Sequence, residues 1–525
     1  MTHKIKRAVC AVLAVALLAG CSSQERGNTV SVADFGSSGG VDYSGAGTVI
    51  PVSDMTDTME ESSVPQSSSV ASTCVVNTSE TDNATTTADL PEPDEPESIP
   101  DVTTVKTTPQ QTTTTVRSST TSAATAEPAE TTTTASTSTS ADAEPATPSY
   151  SYGTNSYQAV NYSEVKGIWI SYIELAELMQ GQSESAFRSN IASVFDNCTD
   201  LGINTVYVHV RSHSDAYYKS KLFPWSKYIT GTLGMDPGYD PLLVMLQEAH
   251  KRSLSFQAWI NPLRACSASQ IYNYGSYPVY TFATGTGMAG KYAVDVNGTY
   301  YLNPAYEQVT ELIAAGASEI LENYNVDGLH IDDYFYPTTD ASFDSSAFSA
   351  SGKASLSDFR FANCDRMVSE LYSAVKKTNP TAIFSVSVQG RVDNNYNQLY
   401  ADVRKWCTTK GYLDVIIPQI YYGFENSAAP YKDTLDEWEA LAVKGGIPLI
   451  TGLSVSKVGC EDTWAGSGKY EWINNSDIIS RQYAAARKCR SYGGFALYSY
   501  RSIFSPDKSV SAAVSKEIKA LKDII

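Results

Sequence analysis

From about residue 165 onward the chain alternates short apolar runs with helical patterns, and this alternation constrains its fold more than any other feature. Strands are predicted at Lys166–Tyr172, Asn204–Arg211, Ser255–Asn261, Val326–Asp332, Ala382–Gln389, Leu413–Tyr421, Pro448–Leu453 and Gly494–Tyr500. The first helix follows Ser183, with Phe187, Ile191, Val194, Phe195, Cys198 and Leu201 at helical spacing. Asp240-Pro241 supplies a cap and a first-turn proline for the next, which runs to about Arg252. Further helices are predicted at Ala305–Asn323, Asp358–Thr378, Gln398–Cys407, Tyr431–Lys444, Asp477–Arg490 and Val510–Leu521, and residues 262–303 read as a long irregular loop. Eight strands and eight helices in roughly 360 residues match an α/β fold closed as a (β/α)8 TIM-type barrel.

The strands carry polar groups where a purely structural barrel would place branched aliphatics. Alternation points Leu329 and Ile331 to the helices, and His330 and Asp332 to the barrel axis. The same reading places His209, Arg211, Gln257, Trp259, Asn261, Ser385, Ser387, Gln389, Gln419 and Tyr421 inward. The run Val326–Pro337 ends in the adjacent acids Asp332 and Asp333, followed by Tyr334, Phe335 and Tyr336. Each polar residue alone could be a satisfied core group. Converging at the strand ends, they mark the top of the barrel as a ligand site.

What precedes the barrel reads as an address and a spacer. Lys4, Lys6 and Arg7 introduce the apolar stretch Ala8–Leu18, too short to span a membrane, so residues 1–20 read as a signal peptide. The stretch closes on Leu18-Ala19-Gly20-Cys21, which resembles a bacterial lipobox and implies acylation of Cys21, a lipid anchor on an extracytoplasmic membrane face. Residues 21–160 are rich in Thr, Ser, Ala, Pro and Glu and poor in large aliphatics, the composition of a disordered tether. Residues 161–525 then form the barrel domain.

A net charge of −19 disfavours nucleic acid as a partner and suits neutral or weakly charged ligands. Of nine cysteines, Cys10, Cys21 and Cys74 precede the folded part, and Cys198, Cys364, Cys407 and Cys489 fall in helical patterns, most of them as small core residues. No metal, no cofactor and no second copy of the chain is expected.

A family resemblance covers this region in order. Gly167-Ile168-Trp169-Ile170, Arg211 with Asp215-Ala216, Pro224-Trp225-Ser226, Thr230-Gly231, Tyr239-Asp240-Pro241-Leu242 and Ala249-His250-Lys251-Arg252 resemble the glycosyl hydrolase-like 10 family. So do Ala258-Trp259-Ile260-Asn261-Pro262 with Arg264, Tyr301-Leu302-Asn303-Pro304, Val326–Pro337, Tyr400-Ala401-Asp402 and Pro418-Gln419-Ile420-Tyr421. The resemblance implies a TIM-barrel glycoside hydrolase exported to the envelope. It further implies a polysaccharide substrate, namely peptidoglycan glycan strands lacking stem peptides. The chain departs from the family pattern at His209, Ser212, Ser214, Gln257 and Ser387–Asn394.

Glycoside hydrolysis needs one group to donate a proton and another to stabilise or attack the anomeric carbon. Asp332 is the first candidate and Asp333 its partner, with Glu425 as an alternative acid on the sixth-strand loop. The spacing Asp327–Asp332 is also similar to the nucleophile strand of α-amylase-type barrels, with His330 in the place of an arginine, steadying Asp332. His330, Arg211, Asp215, Asn261, Arg264, Gln419 and Tyr421 are expected to bind substrate, and Trp169, Trp259, Tyr334 and Tyr336 to form stacking walls. Two alternatives accompany this reading: a non-catalytic glycan-binding lipoprotein on a degenerate barrel, and a metal-dependent polysaccharide deacetylase. The second would require His and Asp ligands to converge, and only His209, His213 and His330 lie near strand tips.

Overall fold

A computed structural model describes residues 157–525. The signal peptide, the lipid-site Cys21 and nearly all of the tether lie outside the described residues. Eight parallel strands form the barrel: β1 Val165–Ile170, β2 Thr205–Arg211, β3 Ser255–Ile260, β4 Gly328–Ile331, β5 Ile383–Gln389, β6 Val415–Gln419, β7 Leu449–Ser454 and β8 Tyr492–Tyr498. Each pairs with its neighbours in sequence, and β8 returns to β1 with Gly167 opposite Ala496. The predicted barrel is therefore the observed one, with strand ends displaced by a residue or two. At β1 the cause is Ser171, the N-cap of the helix Tyr172–Met179, which takes Tyr172 out of the strand.

The outward faces are apolar as the alternation requires. Val206, Val208, Phe256, Ala258, Leu329, Ile331, Phe384, Val386 and Val388 are fully buried in the core shared with the helices. In the helix Glu184–Asp200, Ser183 accepts a hydrogen bond from the Ala186 N–H, and Phe187, Ile191, Val194, Phe195 and Cys198 face the core. Cys364 and Cys407 are also buried, in line with their reading as small core residues. A second apolar cluster, including Trp169, Tyr207, Trp259 and Ile417, fills the barrel interior. Glycine at position 328 lets Gln257 cross this interior, because a Cβ there would lie 1.9 Å from Gln257 Oε1.

Two expectations about elements are corrected. Residues 262–303 are not irregular. They form an antiparallel sheet of Arg264–Ser267, Ala293–Val296 and Thr299–Leu302, a 3-10 helix Ala268–Tyr274 and a helix Pro278–Thr284. Asn297 and Gly298, both at positive φ, make the tight turn of its hairpin, the backbone that a two-residue loop demands. The helix expected at 398–407 is two helices, Val392–Leu399 and Val403–Thr408, because Tyr400 turns left-handed and Asp402 caps the second.

The floor of the barrel is closed by the chain that enters it. Tyr157 Oη and the Val160 N–H each donate to Asp327 Oδ1 at 2.6 Å, while His250 Nε2 and the Phe256 N–H reach Oδ2 at 2.9 and 2.7 Å. Asn161 adds bonds to the Asp327 and Thr381 carbonyls. The last predicted tether residues thus belong to the folded unit. Among the described residues no helix is long and apolar enough to cross a membrane.

Candidate functional site

Asp332 follows β4 directly and Asn261 follows β3, so adjacent strands deliver both side chains to the same tip of the barrel. Asn261 Nδ2 lies 2.6 Å from each carboxyl oxygen of Asp332. Asn261 is itself oriented by Arg264, whose Nη2 donates to Asn261 Oδ1. The guanidinium also donates from Nε to the Ser212 carbonyl at 3.0 Å and from Nη1 to Tyr334 Oη at 2.7 Å, lying over the Tyr334 ring. Asp332 is only 4% exposed. Burial pushes its carboxyl up to about 7, helped by the charge of Asp333 and opposed by Arg264 and Asn261.

Asp333 has a different environment. Its Oδ1 accepts from Gln419 Nε2 at 3.2 Å, and Gln419 also bonds Ser387 Oγ. Tyr421 beside it stacks on Tyr498, ring centroids 5.8 Å apart, and burial first, then Tyr498 and the two acids, push its phenol up. Two neighbouring carboxyls in unlike surroundings are what acid–base chemistry on one bond requires. Among the described residues no group of three His, Cys, Asp or Glu side chains is placed to hold a metal ion.

The expected site residues separate into those that meet and those that do not. Asp332, Asp333, Asn261, Arg264, Tyr334, Gln419 and Tyr421 converge. His330 lies one layer deeper. The Trp169 indole N–H can only donate, so His330 Nε2, 3.1 Å away, is unprotonated and Nδ1 donates to Ser385 Oγ at 2.8 Å. Burial lowers this imidazole to about 3 and it stays neutral. It bonds no atom of Asp332, contrary to the expected steadying role. Trp169 and Trp259 belong to the buried interior cluster, Trp259 stacked on His209, and are not open walls.

Arg211 is displaced by backbone geometry. The register between β2 and β3 slips after His209–Trp259, so Arg211 pairs with outward-facing Ile260. Its guanidinium lies 4.5 Å from the Phe223 ring and against Gly316, where a Cβ would meet Nη1 at 2.2 Å. Asp215 Oδ1 accepts the backbone N–H groups of Ser212 and His213 and shapes the β2 loop. Tyr336 is 0% exposed, bonded by Asn363 and packed on Arg360 and Tyr400, because the chain turns after Asp333 and strand alternation ends there. Glu425 is exposed, its loop held by Glu471 through backbone N–H groups, and its side chain joins none of the bonds around the two acids.

Tyr334 and Tyr336 should therefore respond oppositely to truncation. Tyr334→Ala removes a partner of Arg264 and is expected to lower turnover roughly tenfold with little change in stability. Tyr336→Ala empties a packed site and should cost about 3–5 kcal/mol while leaving the mouth intact. Melting curves and turnover on one glycan preparation separate the two; a stability loss from Tyr334→Ala alone would contradict this placement.

Tyr172, Arg264 and Tyr334 also border a recess of about 260 Å³, closed by Lys227, Tyr228 and Tyr274 and by the small sheet through Cys266, Thr299 and Tyr301. Sequence reasoning missed Tyr172, Lys227 and Tyr228. The Asn297-Gly298 dipeptide was the signal that could have revealed the wall.

Comparison with known proteins places the chain. The family model described as Glycosyl hydrolase-like 10 matches residues 164–466. The chain is 31% identical over 326 residues to the glycosyl hydrolase YngK of Bacillus subtilis, covering 56% of this chain and 61% of that protein. It is 34% identical over 289 residues to the glycosyl hydrolase DigH of Escherichia coli K12, covering 50% of this chain and 65% of that protein. It thus spans less than two thirds of the length of these relatives. Among solved structures, the PgaB glycoside hydrolase domain of Bordetella bronchiseptica aligns with a TM-score of 0.46 at 13% identity, over 69% of this chain and 98% of that one. The family match covers more than half of the sequence and most of the barrel, and the chain belongs to the Glycosyl hydrolase-like 10 family.

Proposed function

We propose that this protein is a glycoside hydrolase in which Asp332 is the proton donor and Asp333 the partner acid. The single observation that carries the reading is Asp332 buried at the barrel tip, bonded by Asn261 and next to Asp333, surroundings that raise its carboxyl above the ordinary range. A donor with this property protonates the glycosidic oxygen as the bond breaks. Asp333, bonded by Gln419, would orient an acetamido group so that its carbonyl oxygen attacks the anomeric carbon, or stabilise that carbon directly. Tyr334 and the Tyr421–Tyr498 stack offer aromatic surface for sugar rings at the mouth.

The substrate we infer is a glycan containing N-acetylhexosamine, specifically peptidoglycan strands stripped of stem peptides. An exported, Cys21-anchored protein would meet such strands at the envelope. Both points draw on the family resemblance and on the N-terminal sequence. Incubating the protein with amidase-treated glycan strands should release fragments with new reducing ends, identified by mass. Binding without new ends would instead favour a glycan-binding protein on a degenerate barrel.

A further inference from the structure

The recess beside Arg264 has a charge balance opposite to that of the whole protein. The chain carries −19, yet Lys227 and Arg264 both face this recess against one carboxylate, Asp215. That carboxylate is already engaged by the Ser212 and His213 N–H groups. His213 is driven far below its ordinary value, first by burial and then by the charges of Arg264 and Lys227, so it adds no cation. Arg264 places three of its five N–H donors, one from each nitrogen, on Ser212, Asn261 and Tyr334, and the residue is only 7% exposed. Lys227 is the less buried of the two cations and bonds none of the residues around the acids: its ammonium donates to Gln270 Oε1 at 3.2 Å, which leaves two N–H donors for a ligand.

We propose that Lys227 is a specificity-determining residue that pairs with a carboxylate on the sugar occupying the recess. The inference rests on the proposed glycan substrate and goes beyond it by naming the group that is read. In a muramic acid strand the lactyl carboxylate is free only after the stem peptide has been removed, since the peptide otherwise ties it up as a neutral amide. A lysine facing a recess of about 260 Å³ then favours the bare strand twice, through charge and through the missing bulk. A uronate ring carries the same chemistry and is the other possible source.

The test compares binding by the full chain in an Asp332→Asn background, so that it does not depend on cleavage. The probes are amidase-stripped strands, the same strands with carboxyls reduced to alcohols by carbodiimide and borohydride, and hyaluronan oligosaccharides as the uronate arm. Stripped strands should bind about tenfold or more tightly than reduced ones, the range of one charge-assisted hydrogen bond. Lys227→Gln should bring that ratio close to one, and Lys227→Arg should keep most of it. A Lys227-dependent preference for hyaluronan over the stripped strands would support the pairing and assign the carboxylate to a uronate. Equal affinity for stripped and reduced strands, a preference that survives Lys227→Gln, or no binding to any probe would overturn the inference. If the preference holds while the unaltered chain releases no new reducing ends, the hydrolase reading fails and the Lys227 pairing stands.

Discussion

Replacing Asp332 with Asn is expected to lower glycan hydrolysis by roughly a hundredfold or more while leaving the melting temperature nearly unchanged. Asn keeps the size and one acceptor oxygen for Asn261 Nδ2, giving up the second of the two contacts, and introduces no buried charge. It cannot release a proton to a leaving group. The wild-type pH profile gives an independent check. Because Asp332 titrates above an ordinary carboxyl, it keeps its proton through mildly acidic pH, and turnover should fall as pH rises through about 7. Asp333 contributes to that elevation, so whatever activity Asp333→Asn retains should lose its alkaline limb at lower pH. Near-normal turnover by Asp332→Asn, on a substrate the unaltered protein cleaves, would sink the assignment.

The barrel was legible because its information is local and periodic. Val206, Val208, Phe256, Ala258, Leu329 and Ile331 alternate with polar residues, and burial of one face fixes the register of each strand. The same rule delivered Asn261 and Gln419, which sit at strand ends. It failed where the period breaks. One residue of slip between β2 and β3 sent Arg211 outward, and nothing in Val208–Ser212 announces a bulge. Beyond Asp333 the chain turns, so Tyr334 reaches the mouth while Tyr336 enters the core. Depth was equally hidden: alternation points Trp169 and His330 inward but does not say that both lie in a layer beneath the mouth, bonded to each other. The recess joins Tyr172, Lys227, Arg264 and Tyr301 from four separate segments, and no spacing within the chain encodes that meeting.

A stability effect as large as that of Tyr336→Ala is expected at the opposite end of β4. Asp327 is 0% exposed and accepts four hydrogen bonds, from Tyr157 Oη, the Val160 N–H, His250 Nε2 and the Phe256 N–H. Asp327→Ala leaves four donors facing an empty site, two of them on the entering segment and two on the barrel. Stranding buried partners in this way costs about 3–5 kcal/mol, and thermal melting should show a loss of that order. Deleting residues through Tyr162 should destabilise the barrel less, since the Asp327 carboxylate keeps His250 and Phe256. In the truncated protein Asp327→Ala should cost correspondingly less than in the full chain, because half of its donors have already gone. Limited proteolysis gives the same boundary from the other side, with cleavage halting before Tyr157 rather than at about residue 160. Additive losses from truncation and Asp327→Ala would mean that the segment and the carboxylate act separately. Non-additivity would establish that the chain entering the barrel is part of its floor, and that glycan assays need proteins beginning no later than Tyr157.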